Sequence, residues 1–326
     1  MTLAPPLILP DEFNAAVYFI DRHIAEGRGA KVAIECGDIQ VTYRELFERV
    51  NQAGNGLRSL GVRIEERVFL LLPDTPEFAV SFFGAIKIGA VPVPVNTLLK
   101  PADYAYLLNN SRARVAIVSE SLLSLIDATP RHQLRYLETI VVIGDGPGAG
   151  TVTFEELTQK SSAALDPEPT CKDDAAFWLY SSGSTGPPKA CVHLQHDMVV
   201  SAERYAQGIL NISENDRCFS VAKLFFAYGL GNGLYFSLAV GATSILLPGP
   251  PRPQNIFEVI ERHRPTLFFS VPSNYAKLVS YPPSGREFVL SSLRHAISAG
   301  EALPATVFHR FKARFGIEIL DAIGST

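Results

Sequence analysis

The sequence has few cysteines, and they lie far apart. The four are Cys36, Cys171, Cys191 and Cys218, and none belongs to a CxxC pair. This spacing argues against both a disulfide framework and a zinc site. Scattered cysteines are typical of a reducing compartment, so we expect a cytoplasmic protein.

Long apolar runs, a basic leader and an excess of charge are also missing. The first thirteen residues lack a basic region, and apolar runs such as 68–72 have only the length of a strand. A formal net charge of −4 and a pI near 6.0 provide no basic surface for nucleic acid or for an acidic membrane. We therefore expect a soluble protein that binds neither, and we leave a homodimer open.

Apolar residues, in contrast, are plentiful. The 326 residues are 47% hydrophobic and 19% charged, which is enough core for two ordinary domains or for one large α/β domain with sublobes. We find no short repeat and no low-complexity tract. Disorder is excluded by this composition.

Strands and helices alternate along the chain. Thr42 and Glu45 form a T-x-x-E capping box before a helix with apolar positions three and four residues apart, and Gly61 follows its end. Apolar runs without alternation predict strands that are covered on both faces. The predicted strands are 67–72, 91–95 (an edge strand), 115–118, 140–143, 176–180, 190–193, 218–221, 244–247, 266–270, 295–298 and 317–320. The predicted helices are 76–88, 102–109, 197–210, 253–262, 273–279 and 305–314.

This order predicts an α/β fold of two lobes, with doubly wound, largely parallel sheets packed in layers. Glycine and proline accumulate between Gly144 and Thr170, where we expect loops and a short helix. The first lobe would comprise residues 1–170 and the second lobe residues 171–326.

A loop rich in glycine and hydroxyl groups joins two of the predicted strands, from Ser181 to Lys189. Its glycines allow a ligand to approach the backbone, its hydroxyl and N–H groups are donors for a polyphosphate, and Lys189 adds a positive charge. The Walker A pattern does not fit, because two prolines precede the lysine and a strand follows it. The alternative is a polar turn or linker, although linkers seldom separate two apolar strands.

The loop resembles the phosphate-binding loop of the adenylate-forming superfamily, which includes acyl-CoA synthetases, luciferases and peptide-synthetase adenylation domains. Segments 224–230, 298–304 and 321–326 resemble later motifs of that family in the same order, and 91–96 resembles part of its first lobe. The resemblance implies that ATP and a carboxylate form an acyl-adenylate, from which the thiol of CoA displaces AMP. Mg²⁺ would neutralise the phosphate oxygens.

The resemblance also implies roles for particular residues. Thr326 would contact the α-phosphate, as the one catalytic residue carried over. The β- and γ-phosphates would be bound by Ser181, Ser182, Gly183, Ser184, Thr185, Gly186 and Lys189. Adenine would be bound by Gly300, Glu301, Ala302, Asp321 and Ala322. The acid pocket would be formed by Phe226, Ala227, Tyr228, Gly229, Gly300, Ile323 and Gly324.

The family pattern continues beyond Thr326 with a Mg²⁺-binding glutamate, a ribose-binding aspartate and a small C-terminal domain that carries a catalytic lysine. This sequence contains none of them. We therefore assign no metal ligand, and we expect a truncated chain that binds ligands but forms no thioester.

The segment 223–232 is most similar to benzoate–CoA ligases, and it has Phe226 where many family members have histidine. Aromatic side chains alternating with Ala227 and Gly229 predict a flat slot for an aryl ring, although aromatic runs are also common in ordinary cores. The absence of charge within 225–231 favours an unsubstituted or lightly substituted ring. Hydroxybenzoate, aminobenzoate and fatty acids are alternative substrates.

Other motifs in the sequence point to other functions, but each gives weaker support than the resemblance to the adenylate-forming superfamily. The segment 144–149 matches a dinucleotide-binding pattern, with Asp166 about twenty residues later, but no amphipathic helix follows it, which argues against an NAD-dependent oxidoreductase. For the H-x-x-H pair His193 and His196 a structural role is favoured over a metal site. No G-x-S-x-G elbow supports a serine hydrolase. A non-catalytic nucleotide-binding remnant is a further alternative.

Overall fold

Two sheets and a separate hairpin, surrounded by helices, make up the computed structural model, which describes residues 7–146, 148, 150–181, 186–282 and 288–326. The strands are β1 Val32–Cys36, β2 Ile39–Thr42, β3 Arg67–Leu71, β4 Val91–Pro94, β5 Val115–Ser119, β6 Thr139–Ile143, β7 Val152–Thr153, β8 Ala175–Ser181, β9 Lys189–Leu194, β10 Arg217–Ser220, β11 Thr243–Leu246, β12 Leu267–Ser270, β13 His295–Ser298 and β14 Ile319–Asp321.

Helical segments connect most of these strands. The α-helices are α1 Arg22–Ala25, α2 Tyr43–Ser59, α3 Pro76–Lys87, α4 Pro101–Ser111, α5 Leu123–Asp127, α6 Phe154–Gln159, α7 Asp197–Ser201, α8 Ala227–Leu230, α9 Phe236–Leu238, α10 Pro253–His263, α11 Pro272–Ser280 and α12 Ala305–Phe315. Wider π turns cover Val17–Asp21, Ala202–Gln207 and Gly231–Tyr235, and 3-10 turns cover Glu120–Leu122 and Arg131–Gln133.

The first sheet contains five parallel strands in the order β4-β3-β5-β6-β7. Phe69 of the central strand β3 pairs with Val93 on one side and with Ala116 on the other. All three side chains are fully buried, because helices cover both faces of the sheet. The prediction of layered, largely parallel sheets is confirmed.

The second sheet contains seven strands in the order β14-β13-β12-β10-β11-β1-β2, and its pairs are parallel except for β1 with β2. Strands β1 and β2 therefore join this sheet although they lie within residues 1–170. These two strands were not predicted, because Glu35 interrupts the apolar run of β1. In the fold Glu35 is buried, and its Oε2 lies 2.5 Å from Arg217 and 2.7 Å from Nδ1 of His263.

The segment 227–238 is a continuous helical stretch that the local sequence does not predict. Its glycines disfavour a helix in isolation, but they stand where the chain is crowded. A Cβ atom on Gly229 would lie 2.1 Å from the carbonyl oxygen of Lys223, so a larger residue does not fit there. Tertiary packing overrides local propensity in this segment.

The remaining predicted elements are present with small shifts at their ends. The capping box is confirmed: Glu45 N donates to Thr42 Oγ1 over 3.2 Å, and Thr42 N donates to Glu45 Oε2 over 2.7 Å. Gly61 follows the helix with a φ of 80°, which favours glycine. Within the described part of the chain, no helix has the length and apolar character needed to cross a membrane.

The capping box gives a stability prediction. Replacing Thr42 with Ala removes the acceptor for Glu45 N, and we expect the free energy of unfolding to fall by about 1 kcal/mol in urea denaturation. Thr42→Ser retains the hydroxyl and should lose much less. Equal losses in the two variants would contradict a capping role for the hydroxyl.

Candidate functional site

A cavity of about 530 Å³ opens at the carboxyl-terminal edge of the second sheet. The residues that directly follow β12, β13 and β14 line one side of it: Val271, Ala299 and Ala322. In open parallel sheets ligands bind outside the carboxyl ends of the strands. The cavity therefore lies where the fold favours a ligand site.

The helical stretch 227–238 and the chain before it form a second wall. Six of the seven residues predicted for the acid pocket line the cavity: Phe226, Ala227, Tyr228, Gly300, Ile323 and Gly324. Gly229 is not among the lining residues, because it is buried against the backbone of Lys223. Their role in binding an acid stays a prediction.

Tyr228 fixes this wall to the sheet. Its hydroxyl lies 3.1 Å from the carbonyl oxygen of Ser270 and 3.3 Å from that of Ile297, at the ends of β12 and β13. Burial raises the pKa of Tyr228 far above its ordinary value, so the hydroxyl keeps its proton and donates. The ring is thereby held at the cavity wall.

The hairpin of β8 and β9 forms the third wall, through Phe177, Leu179 and His193. Side chains alternate along a strand, and directly opposed residues of an antiparallel pair share a face. Ser181 continues the face of Phe177 and Leu179, and it pairs with Lys189. Ser181 therefore lies on the cavity-side face about 7 Å beyond Leu179, at a strand rise of about 3.4 Å per residue.

The predicted phosphate loop begins at Ser181, the last residue of β8, and ends at Lys189, the first residue of β9. Ser182, Gly183, Ser184 and Thr185 lie outside the described residues. Gly186 and Lys189 are exposed, and the Oγ of Ser181 donates to the carbonyl oxygen of Lys189 over 3.4 Å. None of Ser181, Gly186 and Lys189 lines the cavity itself. The two predicted strands that flank the loop pair with each other, and the phosphate contacts stay a prediction.

The residues predicted to bind adenine and the α-phosphate are divided between the cavity and its rim. Gly300, Ala322 and Thr326 line the cavity. Three others are exposed and do not line it: Glu301, Ala302 and Asp321. The Oδ2 of Asp321 accepts from Leu303 N over 3.3 Å, which connects the two segments that should hold adenine.

Several lining residues were not predicted as site residues. Asp197, Met198, Ser201 and Tyr205 lie on one face of the helical segment 197–207. Their spacing of about four residues shows in the sequence, but it also fits an ordinary core helix. His193 was considered structural. The others lie within β8, within the unpredicted helix, or in the chain that follows β10, β12, β13 and β14. The residues not predicted are Phe177, Leu179, His193, Asp197, Met198, Ser201, Tyr205, Ala222, Leu230, Asn232, Tyr235, Phe236, Val271, Ala299 and Ser325.

The dinucleotide-like segment 144–149 does not lead into a helix. Pro147 and Ala149 lie outside the described residues. The short strand β7 comes next, and α6, of six residues, begins only at Phe154. A dinucleotide fold would place the pyrophosphate at the start of a helix directly after the glycines. The segment lacks that arrangement.

A buried ion pair supports the chain in front of Phe226. The Oδ1 of Asp74 accepts from Leu224 N over 3.0 Å, and its Oδ2 lies 3.4 Å from Lys223 Nζ. Lys223 also donates to the carbonyl oxygens of Leu247 and Gly249, over 2.6 and 2.8 Å. The pair links the turn before α3, the loop after β11 and the start of the cavity wall.

The chain belongs to the family of AMP-binding enzymes, whose family model matches residues 21–326. It is 48% identical over 324 residues to a benzoate–CoA ligase of Thauera aromatica. The aligned region covers 99% of this chain and 60% of that protein. Among solved structures, an anthranilate CoA ligase in complex with anthranoyl-AMP superposes with a TM-score of 0.94 at 40% identity, covering 97% of this chain and 61% of that one. A benzoate CoA ligase from Burkholderia xenovorans LB400 superposes with a TM-score of 0.87 at 43% identity, covering 96% and 61%. The chain thus spans about 60% of the length of these relatives.

Asp74 gives a prediction about pH. Burial raises its pKa from 3.8 to about 6, against the opposing effects of Lys223 and the Leu224 N–H. Because the folded state holds this proton more tightly, the contribution to stability is complete below about pH 4 and is lost as the pH rises through about 6. The unfolding free energy of the wild type relative to Asp74→Asn should therefore fall by about 2 kcal/mol from about pH 4 to about pH 7.

Urea denaturation at a series of pH values measures this difference. Asp127→Asn, at an exposed position, controls for the removal of a carboxyl group as such. If the advantage of the wild type over Asp74→Asn grew with rising pH, the attraction to Lys223 would outweigh the cost of burial, and the prediction would be wrong.

Proposed function

We propose that this protein activates an aromatic carboxylic acid of the benzoate type with ATP, and that the resulting acyl-adenylate is passed to CoA. The observation that carries this proposal is an apolar cavity whose wall strand β8 continues into the Ser181–Lys189 hairpin end. An acid site and a phosphate site would then lie side by side. Membership of the AMP-binding family and the activities for which the relatives are named support the same function.

The acid half of the site would hold a ring by apolar contact. Three aromatic side chains line the cavity, together with two leucines: Phe226, Tyr228, Phe236, Leu179 and Leu230. A flat ring of six carbons packs well against such side chains, since aromatic rings favour offset or edge contacts. Glycine at positions 300 and 324 leaves room for the carboxylate, with Thr326 beside it.

The nucleotide half of the site would extend in two directions from the position of the carboxylate near Thr326. Adenine would lie against Gly300 and Ala322, with Glu301, Ala302 and Asp321 at the rim. The β- and γ-phosphates would reach the hairpin end, where Lys189 supplies a full positive charge and the residues from Ser181 to Gly186 supply hydroxyl and N–H donors. Such groups stabilise charge that develops on phosphate oxygens.

The reaction proceeds in two displacements. A carboxylate oxygen forms a bond to the α-phosphorus, and the bond from that phosphorus to the pyrophosphate oxygen breaks. The CoA thiol, having lost its proton, then forms a bond to the acyl carbon, and the oxygen of AMP leaves. The cavity contributes by holding the carboxylate next to the α-phosphate, which removes the entropic cost of bringing them together.

We also propose that Mg²⁺ accompanies ATP, neutralising phosphate oxygens. The described residues contain no group of three or more side chains that could hold a metal. Mg²⁺ on a nucleotide is bound mainly through phosphates and water, and needs only one or two carboxylates. We therefore assign no residue of this chain to it.

The acid site can be tested by calorimetry. We expect benzoate to bind with higher affinity than hexanoate, and Ala227→Phe, which fills the cavity with a side chain, to abolish benzoate binding. Ala313→Phe makes the same change at an exposed position of α12 and should have no effect. Benzoate binding that survives Ala227→Phe would place the acid elsewhere.

The phosphate site has its own test. Lys189→Ala should weaken ATP binding about tenfold or more, because charge-assisted hydrogen bonds to phosphate are lost. AMP, which lacks the β- and γ-phosphates, and benzoate should be unaffected. Lys160→Ala, also at an exposed lysine, is the matched control. If ATP and AMP lost affinity equally, or if neither did, Lys189 would not contact the outer phosphates.

A further inference from the structure

The two faces of strand β8 contact different parts of the protein. Phe177 and Leu179 line the cavity, whereas Trp178 and Tyr180 pack against the buried core around the first sheet and α4. The guanidinium carbon of Arg67, at the start of β3, lies 5.5 Å from the centre of the Trp178 ring. The hairpin is therefore held between the cavity and the first sheet.

Helix α4 adds two polar contacts to the outer face of the hairpin. Tyr106 and Asn110 are four residues apart and so lie on one side of the helix. The Oδ1 of Asn110 accepts from the hydroxyl of Tyr180 over 2.6 Å, and the hydroxyl of Tyr106 donates to the carbonyl oxygen of Pro188 over 3.1 Å. One contact thus holds β8, and the other holds the residue directly before β9.

The helix that carries these two side chains is itself fixed to the first sheet. Its residues Tyr104, Leu107 and Leu108 are buried in the core of that sheet, and the hydroxyl of Tyr104 donates to the carbonyl oxygen of Asn96 over 2.9 Å. A contact made from such a rigid element restricts its partner more than one made from a mobile segment.

The carbonyl group of Pro188 belongs to the peptide that joins this residue to Lys189. Because a peptide is planar, a hydrogen bond that fixes the carbonyl oxygen also fixes the direction of the Lys189 N–H and Cα. Proline has no backbone N–H, so the carbonyl is the one backbone group through which a hydrogen bond can hold Pro188. On the opposite side, Lys189 pairs with Ser181, whose Oγ donates to the Lys189 carbonyl oxygen over 3.4 Å.

We propose that Tyr106 is a positioning residue for the phosphate end of the site. Its hydroxyl holds the Pro188–Lys189 peptide in the orientation from which the exposed ammonium group of Lys189 reaches the outer phosphates of ATP. The inference rests on the proposed function and assigns to the first lobe a part in binding the nucleotide. Tyr106 touches no substrate in this account, and its effect on ATP passes through Lys189.

Deleting one hydroxyl group tests the proposal by calorimetry. Tyr106→Phe keeps the ring, and at a position 37% exposed we expect the variant to fold, which urea denaturation checks. Its affinity for ATP should fall about threefold, within the range for one hydrogen bond, because Lys189 keeps its charge. The affinities for AMP and for benzoate should stay unchanged. Tyr136→Phe removes the same group at another exposed tyrosine and is the matched control.

A double-mutant cycle shows whether the effect passes through Lys189. In a chain that already carries Lys189→Ala, Tyr106→Phe has no ammonium group left to position, so it should cause no further loss of ATP affinity. A hydroxyl that only stabilises the fold would cause the same loss in both backgrounds, or would weaken AMP as much as ATP.

The outcomes separate the inference from the function on which it rests. Unchanged ATP affinity in Tyr106→Phe would overturn the inference, as would equal losses for ATP and AMP or a loss that persists in the Lys189→Ala background. In each of these cases binding of ATP and benzoate by the wild type would leave the proposed function in place. If the wild type binds neither ATP nor benzoate, the proposed function fails together with the inference.

Discussion

The register of the β8–β9 hairpin is the constraint on which the site depends. Phe177 pairs with His193, Leu179 with Cys191 and Ser181 with Lys189, so a single face carries part of the apolar wall and the start of the glycine- and serine-rich loop. A shift of one residue between the strands would turn Lys189 to the opposite face from the cavity. Tyr106 and Asn110 of α4 hold the hairpin from outside: Tyr106 donates to the carbonyl oxygen of Pro188 and Asn110 accepts from Tyr180.

The opposite walls depend on the second sheet. Parallel strands end at one edge, so the segments after β12, β13 and β14 meet there although they are far apart in sequence. Tyr228 joins the helical wall to this edge, and the pair of Asp74 and Lys223 supports the chain that leads to Phe226. Buried polar groups with partners thus set the shape of a cavity that is largely apolar inside.

Much of the fold could be predicted from local signals. Short stretches of sequence are enough to predict three features: the capping box at Thr42, the apolar strands of the first sheet, and the two strands on either side of the loop that begins at Ser181. Strand β1 was missed because its Glu35 has partners, Arg217 and His263, from distant parts of the chain. The helix at 227–238 was missed because its glycines are required by packing that no local pattern reveals.

In the candidate site, too, some residues could be predicted from the sequence and others depend on contacts between distant parts of the chain. Phe226, Tyr228 and Gly300 stand in segments whose order along the chain suggested a shared site, and the fold brings them to one cavity. His193 and Asn232 gave no such signal, since their places at the cavity depend on neighbours from distant parts of the chain.

A crystal structure of this chain with a non-hydrolysable benzoyl-adenylate mimic, in which a sulfamate replaces the phosphate, tests the central claim most directly. We predict that the aryl ring lies between Phe226, Tyr228 and the β8 wall, with the adenine against Gly300 and Ala322 and the sulfamate beside Thr326. An aryl ring outside the cavity, or an adenosine bound away from the ends of β13 and β14, would contradict the proposed arrangement.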